Sequence, residues 1–230
     1  MKKLISILLT ALIASSAAVC ASAATDTSLY RSKLGALIDA SPYSGDYVGT
    51  GFFYDFDGNG VKELVTYSSV KGDVVPKKVM NVYTIKNGKA KAIVKNKKLF
   101  LEVGGPNGFT GVAKKGKTKY VICGGETGST GGAPDDKLNR YGSITLYKIK
   151  GAKVVKKIKA SFNVTFKSKT KGIKVLKCKA KVNGKKKSYK AFSKWLRSYK
   201  VSKVSKYKRG LFGVTYYSKG TSLNSLYSSL

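Results

Sequence analysis

Through most of this chain apolar and polar side chains alternate, and glycine, asparagine or proline interrupts the alternation at short intervals. Period-two patterning puts one face of a strand in a core and the other in water, and the interruptions mark turns. The pattern predicts strands over 51–54, 64–67, 78–85, 89–94, 99–103, 109–113, 119–123, 141–150, 153–166 and 172–182. Asn87-Gly88 supplies the φ > 0 pair that a two-residue hairpin turn demands, and Asn183-Gly184 repeats it. Gly116 and Gly151 centre two further hairpins, while the glycine-dense stretch 124–136 reads as a loop.

Three segments follow the helical period instead. Over 28–40, Leu29, Leu34, Leu37 and Ile38 form a rough apolar stripe that Ser41-Pro42 ends. Ser188 is placed to cap a short helix in which Phe192, Trp195, Leu196 and Tyr199 fall at i, i+3, i+4 and i+7. Thr221 caps a last short helix bearing Leu223, Leu226, Tyr227 and Leu230 on one face. Between these two helices, 201–209 reads as a polar connection and 211–217 as a strand. The expected fold is therefore α+β: mainly antiparallel hairpins in a meander, with an N-terminal helix and two short C-terminal helices. A β-rich domain spans 25–183, and a basic helical and strand segment, 184–230, packs on it.

Two parts of the meander look alike. Val82-Tyr83-Thr84-Ile85-Lys86-Asn87-Gly88 resembles Leu146-Tyr147-Lys148-Ile149-Lys150-Gly151, and upstream Lys62-Glu63-Leu64-Val65 resembles Lys119-Tyr120-Val121-Ile122. The second copy is longer, with its surplus in 124–136. Two related β units are expected, against chance similarity among hairpins rich in lysine, valine and glycine.

The connection between the first two strands carries the sharpest chemistry. In Asp55-Phe56-Asp57-Gly58-Asn59-Gly60-Val61-Lys62-Glu63 side-chain oxygens recur on alternate residues, and the glycines allow a tight bend around a common point. A hard cation takes such oxygen ligands. A helix–loop–helix calcium hand would need Glu at position 66, where Thr66 stands, and the flanks are strands. The shorter pattern resembles the calcium loops of secreted bacterial β proteins of the FG-GAP/VCBS-repeat type, over about 53–67. That resemblance implies calcium held by Asp55, Asp57, Asn59 and Glu63 with the Val61 carbonyl, in a structural role. If the unit is repeated, the second copy carries Lys114-Lys115-Gly116-Lys117 in place of the acids, so the cation loop exists once.

Composition changes the picture next. Met1-Lys2-Lys3, an apolar stretch over 4–19 and Ala21-Ser22-Ala23 have the form of a secretory signal, so removal of 1–24 and a secreted product, retained at the cell surface by charge if at all, are expected. No later apolar run is long enough to span a bilayer. Lys and Arg number 45 against 11 Asp and Glu, for a net charge of +34, and no acid follows Asp136. Such an excess favours anionic partners: cell-wall polymer, acidic glycan or nucleic acid. Lys185, Lys186 and Lys187 with Tyr189, and Lys203, Lys206, Lys208 and Arg209 with Tyr207, interleave cations and aromatics as such surfaces do.

Histidine is absent, which removes the commonest general base and transition-metal ligand. Cys123 and Cys178 either pair, as an exported chain permits, or remain two buried thiols. Glu126, Asp135 and Asp136 are the acids available for hydrolysis in the glycine-rich loop. The expected function is a secreted, non-catalytic, calcium-binding β module whose basic surface binds anionic cell-wall or host polymers. The alternatives are a secreted hydrolase acting on wall or glycan, and a membrane-active cationic protein.

Overall fold

The structure, a computed structural model, describes residues 27–30, 32–33, 50–70, 77–98, 107–128, 137–169, 172–202 and 206–207. In chain order the elements are β1 (Thr50–Tyr54), β2 (Glu63–Val70), β3 (Lys77–Lys86), β4 (Lys89–Lys98), β5 (Asn107–Lys115), β6 (Thr118–Gly128), β7 (Lys137–Lys150), β8 (Lys153–Lys169), β9 (Gly172–Val182), β10 (Lys185–Lys187), α1 (Tyr189–Arg197), β11 (Lys200–Ser202) and β12 (Lys206–Tyr207). They form two antiparallel sheets, a five-stranded one in the order β12-β1-β2-β3-β4 and a seven-stranded one in the order β10-β9-β8-β7-β6-β5-β11.

Alternation decides which face of each strand is dry. Along β8, Ile158, Ala160, Phe162, Val164 and Phe166 are buried, while Lys157, Lys159, Ser161 and Asn163 are exposed. The buried row joins Ile122, Ile144, Leu146 and Ala180 on one face of the larger sheet, and α1 covers that face with Phe192 and Leu196. The opposite face of the same sheet is divided. Val112, Val121, Cys123, Tyr147 and Ile149 pack against Phe52, Val65, Tyr67, Met80 and Val82 of the smaller sheet. Thr110 Oγ1 bridges the sheets to Met80 Sδ at 3.2 Å. The remainder of that face, on β8, β9 and the start of β7, faces solvent.

The two similar sequence units have matching registers. Leu64 pairs with Tyr83 as Val121 pairs with Tyr147, and Val65 pairs with Val82 as Ile122 pairs with Leu146. The faces are not matched in the same way. Val65 turns toward the other sheet, whereas its counterpart Ile122 turns away, toward α1. The units thus stack front to back, and α1 closes the face that a third such unit would cover.

The α+β expectation is overturned: the described residues form a mostly β protein of two antiparallel sheets, with α1 as its one helix of any length. Where the N-terminal helix was expected, Thr27–Tyr30 forms a 3-10 turn and residues 32–33 a helical fragment. Tyr30 explains the tight turn, because its side chain is fully buried against the Phe53 ring and its hydroxyl donates to the Lys62 carbonyl at 2.8 Å. The rest of that segment, the 99–103 and 211–217 strands and the final helix after Thr221 lie outside the described residues. Residues 201–209, expected as a polar connection, contribute β11 and β12, which extend an edge of each sheet. Open sheet edges supply unpaired backbone groups, and pairing with them overrides a polar composition. The helix around Trp195 agrees with expectation: the Ser188 hydroxyl accepts from Ala191 N at 3.2 Å, and Lys194 and Arg197 sit at the C-terminal end where the dipole favours cations.

Candidate functional site: an acidic clasp and a basic outer face

The acidic loop lies between β1 and β2, and its residues differ in environment. Glu63 opens β2 and is fully buried on the face toward the larger sheet. Its Oε2 accepts from Phe56 N at 3.0 Å and its Oε1 from Thr84 Oγ1 at 3.3 Å. Asp55 folds the loop around itself, Oδ1 accepting from Gly58 N at 2.7 Å and Oδ2 from Gly60 N at 3.1 Å. Gly58 and Gly60 have φ of 81° and 85°, the left-handed conformation that lets two alternate amides reach one carboxylate. Asp57 Oδ1 accepts from Asn59 N at 3.2 Å, and Asn59 Oδ1 accepts from Val61 N at 2.7 Å.

Two contacts tie this loop to the other sheet. Gly151 N, at the β7–β8 hairpin tip, donates to Asp57 Oδ2 at 2.5 Å. Lys119 Nζ, from β6, donates to the Asp55 carbonyl at 2.8 Å and lies 5.4 Å from the centre of the Tyr54 ring. The loop is therefore a clasp across the open end of the sandwich.

Burial raises the pKa of Glu63 to about 7, against the hydrogen bond from Phe56 N, and the negative charges of Asp57 and Asp55 push it in the same upward direction. Among the described residues no cation forms a salt bridge with Glu63. Nor, among the described residues, do three or more His, Cys, Asp or Glu side chains form a metal-holding cluster. The carboxylates are turned to the loop's own amides and, for Asp57 and Glu63, also to Gly151 N and the Thr84 hydroxyl. The donor chemistry nonetheless fits a hard cation: a buried carboxylate flanked by two others has no salt bridge among the described residues, and a carboxylate oxygen bonded to one N–H keeps a second lone pair.

Among the described residues, the expected polyanion lysines fall on edges of two different sheets. Lys185, Lys186 and Lys187 form β10, exposed along one edge of the larger sheet. Lys206 lies in β12, an edge of the smaller sheet, and Lys203, Lys208 and Arg209 lie outside the described residues. The sandwich gathers another set instead. On the solvent face of the larger sheet cross-strand rows run Lys137–Lys167–Lys174, Asn139–Thr165–Lys177, Tyr141–Asn163–Lys179 and Ser143–Ser161–Lys181–Lys186. The signal for them was present in the period-two lysines of 153–181, and what was missing was which strands are neighbours. The described carboxylates stand elsewhere: Asp55, Asp57 and Glu63 in the clasp, and Glu126 buried on β6 with Arg140 Nε 3.9 Å away. Glu126 thus lies beside a guanidinium, while Asp135 and Asp136 lie outside the described residues.

The disulfide alternative is corrected, since both cysteines are free thiols. Cys123 faces the smaller sheet, whereas Cys178 packs on the α1 side, with β7 and β8 intervening. Strand alternation put them on opposite faces, which no side-chain rotation can bridge. Burial pushes the Cys123 thiol up to about 12, so it is an inert core group.

Among the described residues no helix is long and apolar enough to cross a membrane. No family model, no curated protein and no solved structure matches this chain.

Proposed function

We propose that this protein is a secreted, non-catalytic β module that binds anionic polymers, with a calcium ion bracing the clasp between its sheets. The observation that carries the reading is the solvent face of β8 and β9. There Lys157, Lys159, Lys174, Lys177, Lys179 and Lys181 are exposed, with no carboxylate among the described residues of that face. A fold stabilised by charge balance would intersperse acids. Lysines directly opposite one another, as in the Lys137–Lys167–Lys174 row, repel. A polyanion offsets that repulsion and releases its own counterions on binding. Hydrogen-bonded strands also hold these charges at fixed spacing, which suits an extended, repeating partner.

The calcium part rests on Glu63, whose buried carboxylate has no cationic partner among the described residues. Asp55, Asp57, Asn59 and Glu63 with the Val61 carbonyl would hold the ion, which would supply positive charge where two strands of one sheet meet a hairpin of the other. The hydrolase alternative has less support, since Glu126 lies beside Arg140 Nε, and Asp135 and Asp136 lie outside the described residues.

Heparin or wall-polymer chromatography tests the binding. The protein is expected to elute well above physiological salt and later than a control protein of equal net charge whose lysines are scattered, with log affinity falling linearly in log salt. Co-elution with the control near physiological salt removes the reading.

A further inference from the structure

We infer that the solvent face of the larger sheet contains a defined subsite for an acidic sugar unit, so that the polymer is an acidic glycan rather than any polyanion. This rests on the anionic-polymer reading above and narrows it. A groove of about 390 Å³ opens between β7, β8 and β9, lined by Asn139, Tyr141, Asn163, Thr165, Lys177 and Lys179. Its size falls within the range of small-ligand clefts. Its lining is set by register: Asn139 pairs with Thr165 and Tyr141 with Asn163 across β7 and β8, while Lys177 and Lys179 pair with Thr165 and Asn163 from β9.

The chemistry of the lining is mixed in a particular way. Two carboxamides, a threonine hydroxyl and a phenol offer both donors and acceptors, as sugar hydroxyls require. The Thr165 hydroxyl donates to Asn139 Oδ1 at 2.7 Å, which fixes the orientation of that carboxamide. Tyr141 is half-buried and offers one aromatic surface to the apolar face of a pyranose ring. Lys177 and Lys179 stand on one wall and supply two positive charges, enough for the carboxylate or sulfate of one sugar unit. Further lysines continue the charge at both ends of the groove, in the Lys137–Lys167–Lys174 row and in the row ending at Lys181 and Lys186. A chain with an acid group on successive units can follow that track. Single-stranded nucleic acid is favoured less, because it stacks successive bases on successive aromatics, and Tyr141 is the one aromatic that lines this groove.

The test compares three probes on the full chain by calorimetry: a sulfated, uronate-containing hexasaccharide, an oligonucleotide of equal charge and inorganic polyphosphate of equal charge. The variant N139A/N163A removes carboxamides and no charge, at exposed positions that the core does not need. Its affinity for the hexasaccharide is expected to fall about tenfold or more, with polyphosphate and oligonucleotide binding unchanged. Unchanged hexasaccharide affinity overturns the subsite while leaving the anionic-polymer reading intact. Equal loss for the oligonucleotide makes the groove a nucleic-acid site and overturns the glycan assignment. Failure of the parent protein to bind any probe beyond a charge-matched control defeats both. A second readout is saturation transfer from the protein to sugar ring protons. Strong transfer to one ring face, lost in Tyr141→Ala, supports stacking, and uniform weak transfer overturns it.

Discussion

Stripped of divalent cations, the protein is expected to lose about 3 kcal/mol of stability as the pH rises from 4.5 to 7. Glu63 is the cause. Burial, reinforced by Asp57 and Asp55, raises its pKa in the folded chain to about 7 from the usual 4.5. Between those values the folded state holds a proton that the unfolded state has released. The stabilisation is thus complete below pH 4.5 and disappears as pH passes through 7. The variant Glu63→Gln keeps an acceptor for Phe56 N and has no proton to lose. Its stability profile should be flat over this range, and it should be the more stable protein at pH 8. A parent protein whose stability does not fall over the window contradicts the buried, uncompensated carboxylate.

Calcium should reverse the trend, because the ion takes the deprotonated form and releases a proton on binding. Saturating calcium is expected to raise the melting temperature by about 5–10 °C at pH 8 and by much less at pH 5. Asp57→Ala should abolish that gain. The variant also loses the bond from Gly151 N, so the quantity to compare is the calcium-dependent increment and not the starting temperature. A melting curve that calcium leaves unmoved at both pH values removes the ion from the proposed function, whatever the pH profile shows.

The second large effect is expected at α1. Phe192→Ala should cost about 3–5 kcal/mol and lower the melting temperature by roughly 8–15 °C. Phe192 is fully buried, its ring centre 5.9 Å from that of Phe162 on β8 and 5.7 Å from that of Trp195. Truncation leaves a cavity where the helix meets the sheet, and both elements are too constrained by backbone pairing to close it. The exposed neighbour Lys190→Ala should change stability by less than about 0.5 kcal/mol. A Phe192→Ala protein that melts within two or three degrees of the parent, measured by circular dichroism in about 0.15 M salt, would show that α1 is an accessory to the fold rather than the cover of its core.

Much of this architecture was legible in the residues. Period-two alternation located β1–β9, and the Asn-Gly pairs at 87–88 and 183–184 located hairpins, with Asn87 and Asn183 at φ of 53° and 48°. The stripe of Phe192, Trp195, Leu196 and Tyr199 located α1, and the acids of 55–63 located the clasp. Local geometry decides each of these. An alternating strand has one face to hide, and a φ > 0 turn needs residues that tolerate it.

The tertiary structure alone decided how those pieces meet. The strand that sits beside a given strand, and the sheet that covers a given face, depend on contacts between residues far apart in sequence. For that reason the outer ladder of Asn139, Thr165, Lys177 and its neighbours was hidden, while the Lys185–Lys187 run was conspicuous without being central. The same cause separated Cys123 from Cys178, made edge strands of Lys200–Ser202 and Lys206–Tyr207, and set a tight turn at Thr27–Tyr30, anchored by Tyr30, where a helix was expected to begin. It also gave the acidic loop its partner. The sequence determined that carboxylates cluster in a glycine-rich turn. Only the packing of one sheet on the other buried Glu63 and brought the amide of Gly151 to Asp57, making a local turn into a clasp.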